Sequence, residues 1–103
     1  MDVEEARKLT IEEFSEIFGT KSKRMIRYYA LNGGCYLFTK IMNRRLGVNC
    51  TFLISKYRDH CALKINGKAY DYDGFHSIEN FRKMDEVDFD WCERNFPYSN
   101  LER

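Results

Sequence analysis

Cys35 follows directly on the Gly33-Gly34 pair and opens the helical run Tyr36 to Leu46. Its thiol is therefore expected at a helix N-terminus, under unpaired backbone N–H groups and the positive end of the dipole. That setting favours the thiolate, the form in which a cysteine is a nucleophile near neutral pH. Such a thiolate needs a base that can also protonate a leaving group, and the base needs an acceptor on its other nitrogen to fix its tautomer. His60 and the carboxylates of Asp71 and Asp73 provide those residue types in the order cysteine, histidine, aspartate.

The spacing of His60 and the aspartates follows from one turn. Asn66-Gly67, flanked by alternating residues, is a strong hairpin signal, and a two-residue turn fixes the register: Ile65 opposite Lys68, Leu63 opposite Tyr70, Ala62 opposite Asp71 and His60 opposite Asp73. Alternation puts Cys61, Leu63, Ile65, Tyr70 and Tyr72 on one face and His60, Ala62, Lys64, Ala69, Asp71 and Asp73 on the other. The imidazole then has Asp73 directly across and Asp71 on the diagonal, both within reach of cross-strand neighbours. The small Ala62 and Ala69 leave room for a helix end on that second face. Backbone N–H groups at the helix start are the expected oxyanion donors, with Gly34, Asn32 and Tyr36 positioning substrate and Tyr29 a further candidate. Cys61, turned from His60 by parity, is expected in the core, and His76 on the surface or at a cap.

The remaining elements are those that must hold these residues in place. Thr10 to Glu13 reads as a capping box for a helix over Ile11 to Phe18 that ends at Gly19, and Ser22 can cap a second helix as far as Leu31. The helix opened by Cys35 carries Leu37, Phe38, Ile41, Met42 and Leu46 on one apolar face and stops at Gly47. Thr51 to Tyr57 is β-rich. After Asp73-Gly74, Ser77 can cap a short helix through Phe81 to Met84 and Asp85 a last one through Trp91 and Cys92. The expected fold class is α+β: N-terminal helices and a central Cys-bearing helix on a small antiparallel sheet of about three strands, with C-terminal short helices.

A length of 103 residues with net charge +1 predicts a single domain, residues 1–103, with one core. No apolar run is long enough to cross a membrane, and the acidic start Met-Asp-Val-Glu-Glu is unlike an export signal, so a cytoplasmic location with reduced thiols is expected. The four cysteines contain no Cys-x-x-Cys pair and fit no common zinc spacing, so no metal and no cofactor are expected. Lys21, Lys23, Arg24 and Arg27 form a short basic segment and a candidate contact surface; the near-neutral total charge argues against nucleic acid as partner. The sequence is silent on oligomeric state.

Two segments, Gly33-Gly34-Cys35-Tyr36-Leu37-Phe38 and Asp59-His60-Cys61 through Tyr70-Asp71-Tyr72-Asp73-Gly74, together resemble the papain-like cysteine enzyme superfamily, in its compact transglutaminase-like and NlpC-type branches. The Gly-Gly-Cys is also similar to the Gly-Gly-x-Cys of arylamine N-acetyltransferases, one residue shorter. The resemblance covers roughly the middle 45 residues. It implies a hydrolase or transamidase acting on an amide, isopeptide or thioester bond of a protein or peptide, with Cys35 as nucleophile, His60 as base and Asp71 as the orienting carboxylate, Asp73 being the alternative. The chain is short for that superfamily, which usually builds its cleft from extra segments. The competing expectation is therefore a catalytically silent papain-like scaffold, a small inhibitor or accessory protein of a phage or bacterium.

Overall fold

The computed structural model describes residues 1–102 and contains four α-helices and one antiparallel sheet among them. The first helix, α1 (Val3–Phe18), starts eight residues before the expected position, because Asp2 caps it by accepting from the Glu5 N–H at 2.8 Å. Thr10 lies inside that helix. Its hydroxyl donates to the Ala6 carbonyl, and Glu13 leaves the supposed capping box to accept from Arg44 and Arg45. Two cations on α3 thus hold the nearly buried Glu13 of α1; burial raises the Glu13 pKa, but the two guanidinium groups outweigh it and keep the carboxyl below its usual range.

Helix α2 (Lys23–Leu31) is capped by Ser22 as expected, and α3 (Cys35–Leu46) ends at Gly47 in the left-handed conformation. The apolar side of α3 makes the core. Leu37, Phe38, Ile41 and Met42 pack with Phe14 of α1 against Leu63 and Tyr70 of the sheet and Tyr72 just beyond it. Phe14 is wholly buried with its ring edge-on to Phe38, a burial worth about 1.5–3 kcal/mol.

The sheet has five strands where about three were expected: β1 (Thr51–Ser55), β2 (Cys61–Ile65), β3 (Lys68–Asp71), β4 (Gly74–His76) and β5 (Phe81–Lys83), in the order β4-β3-β2-β1-β5. The hairpin register is as expected, with Leu63 opposite Tyr70 and Ile65 opposite Lys68, and Asn66 and Gly67 both at positive φ in the turn. The additional strands are three residues each. Ser77 caps only a 3-10 turn, Ile78–Asn80, after which Phe81 to Lys83 pairs with β1 in place of the expected helix through Met84. Asp85 caps α4 (Glu86–Asn95) in a reciprocal capping box with Asp88.

The two faces of the sheet are covered differently. The helices lie on the Leu63 and Tyr70 side, whereas Leu53, Ala62 and Ala69 on the other side are covered by Ile78 and Phe81. The space left by the alanines is therefore filled by the segment after β4, not by a helix end. Helix α4 packs on the same side of the sheet as the other helices, over β1, where Cys35, Tyr36, Ile54, Cys61, Met84 and Cys92 form a second apolar cluster flanked by Phe89, Trp91 and Phe96. No helix among the described residues is long and apolar enough to cross a membrane.

Candidate active site

Cys35 occupies the first turn of α3, as its sequence context predicts. Gly34, at the N-cap, has no side chain with which to cap, so the first N–H groups of the helix remain free of a capping side chain. The approach of α2 to α3 is close here: the Gly34 N–H donates to the Tyr29 carbonyl at 2.9 Å, and a Cβ on Gly34 would lie 2.3 Å from that oxygen. Gly33 adopts φ +93° and faces the Pro97 ring. The double glycine is thus a steric requirement of placing the thiol.

His60 sits just ahead of the first residue of β2, at the end of the sheet, where its backbone N–H donates to Ser55 Oγ and its carbonyl accepts from the Ser55 N–H. The imidazole Nε2–H donates to Asp71 Oδ2 at 2.7 Å. Because a carboxylate only accepts, this contact fixes the ring orientation and leaves Nδ1 as the remaining nitrogen. Asp71 is nearly buried at the end of β3. Its other oxygen, Oδ1, accepts from His76 Nε2 at 2.8 Å and from the Asp73 backbone N–H at 2.8 Å. Burial raises the Asp71 pKa, but the bonds to His60 and His76 outweigh it, so the carboxylate stays ionised below the usual range.

The thiol and the imidazole perturb each other. A hydrogen bond from the Cys61 thiol and, against burial, the interaction with His60 bring Cys35 down to about 5. Burial opposes charge on His60, yet the Asp71 bond and the Cys35 sulfur raise its pKa to about 10. Between those values the pair is a thiolate and an imidazolium. Cys61 is pushed strongly upward by the neighbouring Cys35 and Cys92 sulfurs and stays a neutral thiol. Cys35 is only 2 % exposed, and the phenyl ring of Phe81 lies 6.1 Å from the His60 ring centre.

The other expected site residues are dispersed. Asp73, expected directly across from His60, falls in the turn after β3 and accepts from Arg27 at 3.0 and 2.9 Å; the ladder on which that register rested has ended at Asp71. Asn32 donates its side-chain N–H to the Tyr28 carbonyl, and the Tyr36 hydroxyl donates to Glu93, so neither side chain is aimed at Cys35 as an oxyanion donor. Tyr29 stacks flat on Phe18. Of the basic segment, Lys21, Lys23 and Arg24 are exposed on or ahead of α2, while Arg27 is engaged by Asp73. No cluster of three His, Cys, Asp or Glu side chains among the described residues is arranged to hold a metal ion.

Residues 10–103 match the family model described as phage YunG-like protein. The chain belongs to the phage YunG-like family. No curated protein and no solved structure matches it. In this YunG-like chain His76 is the site residue that sequence reasoning missed. The signal was available in the two-residue Tyr72-Asp73 connection: it continues the antiparallel ladder, puts His76 opposite Ala69 and so makes it a diagonal neighbour of Asp71.

Proposed function

We propose that this chain is a thiol enzyme of papain-like type that attacks an amide, isopeptide or thioester bond through Cys35, His60 and Asp71. The observation that carries the reading is the His60 ring, held by Asp71 through Nε2 at the end of the sheet, with Cys35 at the start of α3 near enough for thiol and imidazole to shift each other's pKa. In the forward step the Cys35 thiolate adds to the acyl carbon, and the developing oxyanion is met by N–H groups of the first helical turn. The His60 imidazolium gives its proton to the leaving amine or thiol as the bond to carbon breaks, leaving an acyl-thioester on Cys35. Neutral His60 then takes a proton from water, or from an acceptor amine, as that nucleophile displaces the thiol. Asp71 keeps the ring oriented throughout. Cys35 is buried in the cluster it shares with Cys92 of α4, so access requires that packing to open.

The test is the pH dependence of alkylation, read residue by residue by mass spectrometry after iodoacetamide. Cys35 is expected to titrate with a midpoint near 5 and to react at a constant rate up to neutral pH, whereas Cys50, raised by burial, gains rate only in alkali. A Cys35 profile that rises only above pH 8 overturns the reading. His76 supplies a graded check: His76→Ala removes one of three donors to Asp71 but leaves His60 in contact. It should slow Cys35 at pH 6 less than Asp71→Asn does, and a larger effect than that of Asp71→Asn would mean that His76, not Asp71, governs the ring.

A second reading, a silent scaffold that occupies a partner protein, is favoured by the depth of the thiol and by the exposed side of α2. There Arg24, Met25, Tyr28 and Asn32 line a groove of about 380 Å³. A small accessory protein of a phage is in keeping with the family description. Full biological activity of a Cys35→Ala protein would favour this reading; loss of activity with intact folding would eliminate it.

A further inference from the structure

Three of the four cysteines reach one place from three different elements: Cys35 from the start of α3, Cys61 from the start of β2 and Cys92 from α4. All three are buried, and the Cys61 and Cys92 sulfurs are 3.9 Å apart. Cys61 touches Cys92 and shares with Cys35 one buried cluster. The attack on an acyl carbon uses only the first of these sulfurs. Support of the Cys35 thiolate accounts for Cys61 but not for Cys92 behind it, so the pair admits a second use.

We propose that Cys61, backed by Cys92, is the resolving thiol of a peroxide-sensitive modification site that switches Cys35 off and restores it. The inference rests on the proposed thiolate state of Cys35. The chemistry needs hydrogen peroxide, a molecule close to water in size, which can enter where a peptide cannot. The Cys35 thiolate attacks one peroxide oxygen, the O–O bond breaks, and with one proton taken up the products are Cys35 sulfenic acid and water. The Cys61 sulfur then attacks the Cys35 sulfur, its proton leaving with the hydroxyl as a second water, and a Cys35–Cys61 disulfide forms. Exchange by Cys92 at the Cys61 sulfur yields a Cys61–Cys92 disulfide and returns Cys35 to the thiol form. The sum is two thiols and one peroxide converted to one disulfide and two waters. His60, an imidazolium at the start, can supply the proton taken up in the first step and, then neutral, relay the Cys61 proton to the leaving hydroxyl. Without a resolving thiol, the sulfenic acid proceeds to sulfinic acid, which is not reversed by simple thiols.

The experiment uses the full chain, reduced and then treated with hydrogen peroxide, with free thiols blocked and peptides mapped under non-reducing conditions. The expected result is a Cys35–Cys61 or Cys61–Cys92 link, with alkylation of Cys35 lost in proportion to the first and regained on adding dithiothreitol. In Cys92→Ala the Cys35–Cys61 link should accumulate; in Cys61→Ala the lost Cys35 reactivity should not return and sulfinic acid should replace the disulfide. Sulfinic acid on Cys35 in the unmodified chain, with neither link formed, overturns the inference whether or not the variants fold. If Cys35 also shows the low alkylation midpoint, only this inference falls; if that midpoint is absent as well, the thiol-enzyme reading falls with it.

Discussion

In a His60→Ala protein the alkylation of Cys35 at pH 6 is expected to fall by at least about tenfold, because each unit by which the thiol pKa exceeds the working pH removes a factor of ten in thiolate. The hydrogen bond from Cys61 remains in that variant, so the midpoint should rise without necessarily reaching the ordinary thiol value. Asp71 keeps two of its three partners, His76 and the Asp73 N–H, so the carboxylate stays anchored and the effect reports the loss of the ring. The same pair makes a second, independent readout. Cys35 is lowered from 9.0 to about 5 and His60 raised from 6.5 to about 10, so between about pH 6.5 and 9 the folded and unfolded states hold the same number of protons on these two groups. Stability from the pair is flat there. Below that window the unfolded state binds one more proton, so stability falls as the pH drops towards 5; above it the folded state holds the extra proton, so stability falls as the pH climbs towards 10. Urea titrations across pH should show the two slopes in the parent chain, and both should weaken in His60→Ala. An alkylation rate at pH 6 equal to that of the parent would remove His60 from the site.

A Gly34→Ala substitution is expected to cost about 1–3 kcal/mol, the range of overpacking in a closely packed interior. The backbone φ of −100° suits any residue, so the cost is steric and not conformational. The added methyl would stand 2.3 Å from the Tyr29 carbonyl oxygen and 3.1 Å from its carbon, and both are backbone atoms that cannot swing away. Relief requires α2 and α3 to part, which stretches the Gly34 N–H bond to Tyr29 and shifts the first turn that carries Cys35. Gly47→Ala is the informative contrast: nothing lies within 4 Å, and only the left-handed φ of +73° opposes the side chain. Denaturant unfolding should give a lower midpoint for both variants, while only Gly34→Ala also moves the Cys35 titration. If Gly34→Ala keeps the parent's titration, the close approach of α2 is not what places the thiol.

The parts of this fold that were legible from sequence are those with a strong local cause. Asn66-Gly67 set a hairpin whose register the structure repeats, and the Gly33-Gly34 break before an apolar helical face located the start of α3. Short elements were not legible. Strands β4 and β5 have three residues each, too few for alternation to register, and their pairing depends on partners far along the chain. Thr10 to Glu13 satisfied a capping pattern by composition, but Glu13 is claimed by Arg44 and Arg45, which local reading cannot see. The same limit applies to Asp73. Register extended from the hairpin put it opposite His60, but the strand ends two residues earlier and Arg27 takes the carboxylate. Cys61 was read correctly as inward-facing; what parity could not supply is that Cys35 shares that inward cluster with it.

The outermost strands of the sheet, Gly74–His76 and Phe81–Lys83, are also its shortest elements, and the second carries Arg82 and Lys83. A strand from another molecule that tried to extend the ladder would gain few hydrogen bonds on either flank and would meet Lys83 on one of them, Arg82 being paired with Asp88. Growth of this sheet into stacked β-aggregates is therefore opposed at both of its flanks.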